Sequence, residues 1–223
     1  DLDLHYHDTV SVEKGGEITP KITAIYTSKR QSNSVPVRYI TNCPECNTLL
    51  ERNPDEAQHY CPNSDGCLPQ RVGRVAHFIS RKAMDIDGLG AETIQLMMQN
   101  NLINSYADLY TISEIDLVPL ERLAEKSAQN IIKAIADSVE VPFSRVLFGL
   151  GIRYVGQTVA KKLAQHFGSI AALSTATTAE LEAVDEIGSR IAESVIAFFA
   201  SPENHQIIAK LRAAHVQLEQ QVE

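Results

Sequence analysis

The sequence predicts a multi-domain, mainly α protein with three parts in order: a short β segment, a small four-cysteine module, and an all-α region built from one repeated unit. Three observations carry this reading. Alternating, β-branched runs stop before residue 40. All four cysteines fall between residues 43 and 67. Beyond residue 70 a short turn-then-helix pattern recurs four times at near-constant spacing. The expected parts are 1–40, 41–69 and 70–223.

In the first part, residues 9–14 alternate, Gly15-Gly16 supplies a turn, and 18–26 continue with β-branched residues. A polar tail follows from 27 to 36. Two strands alone are marginal in water. The segment is therefore expected to be the end of a β domain whose other strands lie upstream, and the absence of an initiator methionine agrees with a fragment.

The cysteines form two pairs: Cys43 and Cys46 with two residues between them, then Cys61 and Cys67 with five, the pairs separated by fourteen residues. Two thiolate knuckles joined by a loop suit a tetrahedral, structural Zn2+. The polar stretch 49–60 has too little apolar content to fold without such a staple, and metal binding supplies the folding energy. Two disulfides are the alternative, which an intracellular protein disfavours. His59 is read as a solvated loop residue, because four thiolates already close the site.

The repeated unit is Ile86-Asp87-Gly88-Leu89-Gly90, Glu121-Arg122-Leu123-Ala124, Arg153-Tyr154-Val155-Gly156 and Asp185-Glu186-Ile187-Gly188. The last residues of the four units lie 34, 32 and 32 positions apart, and four residues after each comes Ile94, Ala128, Ala160 or Ala192. Such a unit reads as a helix-hairpin-helix. Glycine lets the backbone approach a ligand and take up positive φ. The following helix begins with unpaired N–H groups and the positive end of its dipole, both suited to a phosphate oxygen. The apolar residue inside each turn (Leu89, Leu123, Val155, Ile187) is expected to plug between helices, and the small residue four positions on to let them cross closely. Ordinary packed turns with glycine stops are the bland alternative, and recurrence in register argues against it. Helices are expected over 72–83, 91–100, 126–138, 158–167, 189–199 and 204–218, and Val141-Pro142 divides the repeats into two double units.

Composition is that of an ordinary globular protein, 44% hydrophobic and 22% charged. No long apolar run or signal sequence is present, so a cytoplasmic, membrane-free protein is expected, with nothing that demands an oligomer. The net charge of −8 opposes a general electrostatic nucleic-acid binder. Backbone N–H groups carry no formal charge, which relieves part of that conflict.

Joined in this order, a β piece, a four-cysteine zinc module and four hairpin repeats resemble the C-terminal portion of bacterial NAD-dependent DNA ligases. The carrying strings are Val12-Glu13-Lys14-Gly15-Gly16-Glu17-Ile18-Thr19-Pro20, similar to the end of that family's OB-fold domain, and the cysteine set. His77 to Gly90, Lys126-Ser127-Ala128-Gln129-Asn130 and Leu150-Gly151-Ile152-Arg153-Tyr154-Val155-Gly156 complete them. The resemblance implies a parent enzyme that seals nicks in duplex DNA during replication and repair, using NAD+ and Mg2+ in upstream domains. There a lysine takes AMP from NAD+, passes it to the 5′ phosphate at the nick, and the 3′ hydroxyl displaces it. That lysine sits in a Lys-x-Asp-Gly motif, which this chain lacks: Asp87-Gly88 is preceded by Asp85. The chain alone is therefore expected to bind nicked duplex DNA, and to pair with the upstream adenylation domain, without being adenylated and without catalytic residues of its own.

Carried over by position, the resemblance implies that Gly88, Gly90, Gly156 and Gly188 lie against minor-groove phosphates, positioning the protein without reading sequence. Lys126, Arg153 and Arg190 would add phosphate contacts, with Lys161 and Lys162 as weaker candidates. Arg81 and Lys82 would contact the backbone or support helix packing, and Lys14 and Glu17 would shape a loop. Two positions depart from the family pattern. Ala124 replaces the usual glycine, which opens a packing role for the second repeat, and His7 stands where the β segment would carry glycine. A freestanding DNA-binding module and a zinc-stapled protein-interaction scaffold are the competing functions; the net acidity favours the scaffold, and the incomplete β piece disfavours a freestanding protein.

Overall fold

The computed structural model describes residues 2–15, 19–54, 58–120 and 123–221. Gly16, Glu17 and Ile18 of the β string, and Glu121 and Arg122 of the second hairpin, lie outside the described residues. The chain separates into two compact units, residues 1–62 and 63–223.

In the first unit, β1 (Val10–Gly15) and β2 (Thr19–Ile25) pair antiparallel, from Val10 opposite Ile25 to Gly15 opposite Thr19, with a register irregularity after Ser11. Both strands fall where the alternation puts them. The residues that follow are more ordered than their polarity suggests. A short 3-10 turn, Thr27–Lys29, brings Arg30 onto the Asp8 carboxylate, donating from Nε and Nη2 at 2.9 Å each, and Nη1 donates to Asp3 at 2.8 Å. The Asp8 side chain is 1% exposed, and the Arg30 guanidinium holds its carboxyl below the usual range. His7, at the glycine position of the resemblance, takes φ +68, so the left-handed turn forms without glycine. Among the described residues of this unit Cys43 is the only buried apolar residue, so the two strands enclose no hydrophobic core of their own.

The second unit is helical. In order it contains α1 (Leu68–Ile79), α2 (Ala91–Gln99), a 3-10 turn (Tyr106–Thr111), α3 (Glu114–Leu117), α4 (Glu125–Asp137) and a 3-10 turn (Ser138–Glu140). Then come α5 (Phe143–Gly149), α6 (Gln157–Phe167), α7 (Ile170–Ser174), α8 (Thr178–Glu182), α9 (Ser189–Ala200) and α10 (Pro202–Ala213). One continuous core runs from Val72 to Leu218. Its centre includes Phe78, fully buried, stacked on Tyr106 at 4.3 Å and edge-on to Tyr110 at 6.4 Å. Gly149 of α5 closes over that ring: a Cβ there would stand 3.3 Å from both Phe78 and Ala83.

Two helices differ from their expected spans. α1 begins four residues early because Cys67 caps it and Pro69 fits the first turn, and it ends at Ile79 as the chain turns through Asp85 at φ +56. α10 ends at Ala213 instead of 218, because His215 takes φ +62 and breaks the helix. Residues 216–220 run beside the start of α7: Ile170 N donates to the Leu218 carbonyl at 2.8 Å and Gln220 N to that of Gly168 at 2.7 Å. That pairing buries Val216 and Leu218. The four- to seven-residue helices α3, α5, α7 and α8 are too short to show helical periodicity and were not expected.

Phe78→Ala is expected to destabilise the helical unit by about 3–5 kcal/mol, read from the urea midpoint of its far-UV circular dichroism.

Candidate nucleic-acid interface

Three hairpins of the repeat are described in full, and they share one backbone course. The third residue of each five is left-handed: Gly88 at φ +91, Tyr154 at +66 and Glu186 at +64. The fourth is a buried plug: Leu89, Val155 and Ile187 are 9%, 5% and 5% exposed. The fifth is the helix N-cap in extended geometry, Gly90 at φ −88, Gly156 at −78 and Gly188 at −93, and Ala124 caps α4 in the same way at −78. Positive φ therefore explains Gly88 and not the other three glycines. Four residues further on, Ile94, Ala128, Ala160 and Ala192 are completely buried.

Packing does not explain Gly90, Gly156 and Gly188 either. A Cβ at any of them would meet nothing within 4 Å, whereas one at Gly88 would stand 3.0 Å from Ile131. The smallness of the N-cap residue leaves open space in front of the helix. None of these four helices has a side-chain cap. Other starts differ: Ser105, Ser113 and Thr177 form capping boxes and Ser169 Oγ accepts from Ala172 N, while α1, α5 and α10 also lack a side-chain cap but have proline at or beside their starts. At the hairpins the first N–H groups are left facing that open space, in the arrangement that suits an anion.

The hairpins are braced in pairs. Gly88 of the first packs on Ile131 of α4. Lys162 of α6 donates to Asp185 at 2.7 Å and lies 2.9 Å from Glu186, both in the fourth hairpin. These hydrogen bonds raise the Lys162 ammonium's pKa, and the bond from Lys162 lowers that of Asp185. In the other direction Tyr154 of the third hairpin lies under the guanidinium of Arg190 in α9, 5.5 Å from its ring centre, and under that of Arg153 at 5.0 Å.

Of the basic residues singled out from the sequence, Lys126, Arg153, Lys161 and Arg190 are exposed near hairpins. Lys162 is held by the two carboxylates, one of whose two charges it offsets at the mouth of the fourth hairpin. Arg81 and Lys82 are exposed, and the carbonyls of Arg81 and Ala83 accept from Arg145 Nη2 and Nε at 2.7 and 2.8 Å. Arg145 thus fixes the turn ahead of the first hairpin. Sequence reasoning missed it, since 62 residues separate it from its partner Ala83. It also missed Tyr154, although an aromatic residue next to arginine inside a hairpin was a usable signal. Lys14 lies in β1 opposite Pro20.

The ligand sulfurs of Cys43, Cys46, Cys61 and Cys67 all lie within 4.8 Å of one another, and none forms a disulfide. The Thr48 hydroxyl and a Thr48 backbone hydrogen bond bring the Cys46 thiol down to about 6, favouring the thiolate a metal needs. His59 is not a solvated loop residue: its ring stacks on Tyr39 at 4.2 Å, and its Nδ1 is buried. It is not among the sulfur cluster. Four thiols at this separation fit tetrahedral zinc. Among the described residues, no helix is long and apolar enough to cross a membrane.

The chain thus carries a four-thiol cluster and a helical hairpin architecture, and comparison with known proteins finds both. Residues 42–68 match the NAD-dependent DNA ligase C4 zinc finger domain, and residues 145–208, spanning the third and fourth hairpins, match the helix-hairpin-helix motif. The chain is 57% identical to a DNA ligase of Christiangramia forsetii over 98% of its own length and 33% of that protein. It is 54% identical to a DNA ligase of Flavobacterium psychrophilum over 97% and 33%, and 56% identical to one of Flavobacterium johnsoniae over 98% and 33%. From end to end, then, the chain is similar to a segment of bacterial DNA ligases, and it spans about a third of the length of these relatives.

The two kinds of glycine are expected to separate by stability. Gly88→Ala, strained in φ and pressed on Ile131, should cost about 2 kcal/mol, whereas Gly156→Ala should cost no more than about 1 kcal/mol, the penalty of a poorer N-cap. Chemical denaturation of the two variants measures the difference.

Proposed function

We propose that this chain is the DNA-gripping part of an NAD-dependent DNA ligase, holding nicked duplex DNA by its phosphates while an adenylation domain elsewhere in the longer protein carries out nick sealing with NAD+ and Mg2+. The observation that carries the reading is that the helix starts after the four hairpins combine the lack of a side-chain cap with glycine or alanine at the N-cap, three of them a glycine whose Cβ direction is empty. The other uncapped α-helices, α1, α5 and α10, carry proline at or beside their starts. Neither backbone conformation nor internal packing calls for glycine at the three hairpin N-caps. Close approach of an external anion does, and the unpaired amides give that anion its hydrogen bonds.

In this reading the helical unit contains four helix-hairpin-helix repeats in two double units, first with second and third with fourth. The braces support that pairing: Gly88 to Ile131 in one, Lys162 to the fourth hairpin and Tyr154 to Arg190 in the other. Gly88 is a packing glycine, and Gly90, Gly156 and Gly188 are the phosphate-facing ones. The second repeat, with Ala124 at its N-cap, faces DNA less closely. Lys126, Arg153 and Arg190 add charge beside the hairpins. Binding by neutral amides accommodates the net charge of −8. Cys43, Cys46, Cys61 and Cys67 hold a structural zinc, whose binding supplies folding energy to a polar segment. The two strands are the end of an OB-fold, in keeping with a sheet that encloses no core.

Fluorescence anisotropy of the chain against nicked and intact duplexes of equal length, at two salt concentrations, tests the reading. Affinity should fall steeply with salt, and Gly156→Val with Gly188→Val should weaken binding at least tenfold while the chain stays folded, its melting temperature lowered by about 4–8 °C for the two poorer N-caps. Binding that ignores salt, or survives both substitutions, contradicts a phosphate grip and favours a protein-interaction scaffold.

A further inference from the structure

Tyr154 is an anomaly in its surroundings. It is a bulky residue at φ +66, where L side chains are disfavoured, and it is 39% exposed, so no core packing holds it there. What its ring does contact is charge: Arg153 at 5.0 Å and Arg190 at 5.5 Å from the ring centre. Arg153 belongs to the third hairpin and Arg190 to the first turn of α9, beside the fourth. One ring therefore spans two hairpins and gathers two guanidiniums.

The equivalent left-handed residue of the fourth hairpin makes the opposite reach. Glu186, at φ +64, lies 2.9 Å from Lys162 on α6. Each hairpin thus uses its strained third residue to touch the helix that follows the other. Two crossed braces of different chemistry, one ionic and one aromatic, fix the separation of the two helix starts. Of the two, the aromatic brace also sets the positions of cations. The Arg190 guanidinium, resting on the ring, presents its N–H groups at the ring's edge, and its conformational freedom is already restricted before any anion arrives.

We infer that Tyr154 is a positioning residue for DNA: its ring holds Arg153 and Arg190 together, so that the third and fourth hairpins engage two phosphates as one unit. This rests on the phosphate-grip reading above and extends it to a residue that carries neither a charge nor a helix start. Without the ring, Arg190 is expected to lose its place beside the third hairpin and with it one phosphate contact, and the two hairpins to bind as weaker, independent prongs.

The test uses the whole chain, with a nicked duplex as the probe. Tyr154→Phe keeps the ring and should bind within about twofold of the native chain. Tyr154→Asn removes the ring while suiting the left-handed backbone, and should weaken binding about tenfold. It should also flatten the slope of log affinity against log salt by about one, the loss of one phosphate contact. Adding Arg190→Gln to Tyr154→Asn should then change little, although Arg190→Gln alone weakens binding. Unchanged affinity in Tyr154→Asn, or effects of the two substitutions that simply multiply, overturns the inference. If Tyr154→Asn loses helical circular dichroism, the Arg153→Gln and Arg190→Gln cycle decides instead: coupled losses support a shared platform, and independent losses overturn it. The two levels of the account fail differently. Salt-insensitive binding by the native chain, or full binding by Gly156→Val with Gly188→Val, removes the phosphate grip itself, whereas normal loss in those variants beside an unaffected Tyr154→Asn removes only the role of Tyr154.

Discussion

The first amides of an α-helix have no partner within the helix, and in a folded chain they need an acceptor from somewhere. In this protein serine and threonine supply one at Ser105, Ser113, Ser169 and Thr177. At α1, α5 and α10 no side chain does, and proline stands at or beside the start; at α2, α4, α6 and α9 no side chain does either, and glycine or alanine stands at the cap. Much of the helical unit can be understood as support for those four exposed starts. The buried plugs Leu89, Val155 and Ile187 hold the turns down, and Ala128, Ala160 and Ala192 let the supporting helices close beneath them.

That arrangement would reconcile acidity with the phosphate ligand proposed above. A surface that bound DNA through side-chain charge alone would sit poorly on a chain of net charge −8. Amide donors need no net charge, and their geometry is set by the fold. The acidic pair at the fourth hairpin, Asp185 and Glu186, is partly offset by Lys162, which turns a local liability into a brace between repeats. The zinc module follows a similar economy. A polar segment that cannot bury enough apolar surface is organised by four sulfurs within 4.8 Å of one another.

The repeat and the cysteine set were legible in the sequence because each is a spacing. The long helices α2, α4, α6 and α9 were legible because their apolar positions recur with the helical period. The reason for the glycines was less accessible: backbone angles separate Gly88, which needs positive φ, from Gly156 and Gly188, which do not, and the letters alone cannot. α5 and α7 were too short to show a period. The end of α10 depends on His215 and on pairing with residues near 170, a contact that local sequence does not encode. Arg145 and Tyr154 act across the fold, on partners 62 and 36 positions away for Ala83 and Arg190 respectively, so their roles emerge only once the chain is folded. The ring stacking of His59 on Tyr39 belongs to the same class.

The central claim concerns particular amides, and two-dimensional NMR of the 15N-labelled chain titrated with a nicked duplex observes them directly. The account expects the largest shifts at the first residues of α2, α6 and α9, namely Ala91, Gln157 and Ser189 with their immediate successors. The capped starts of α7 and α8, at Ile170 and Thr178, should stay still. Shifts concentrated at the capped helices, or spread evenly over lysine and arginine positions with the hairpin amides unmoved, would contradict it.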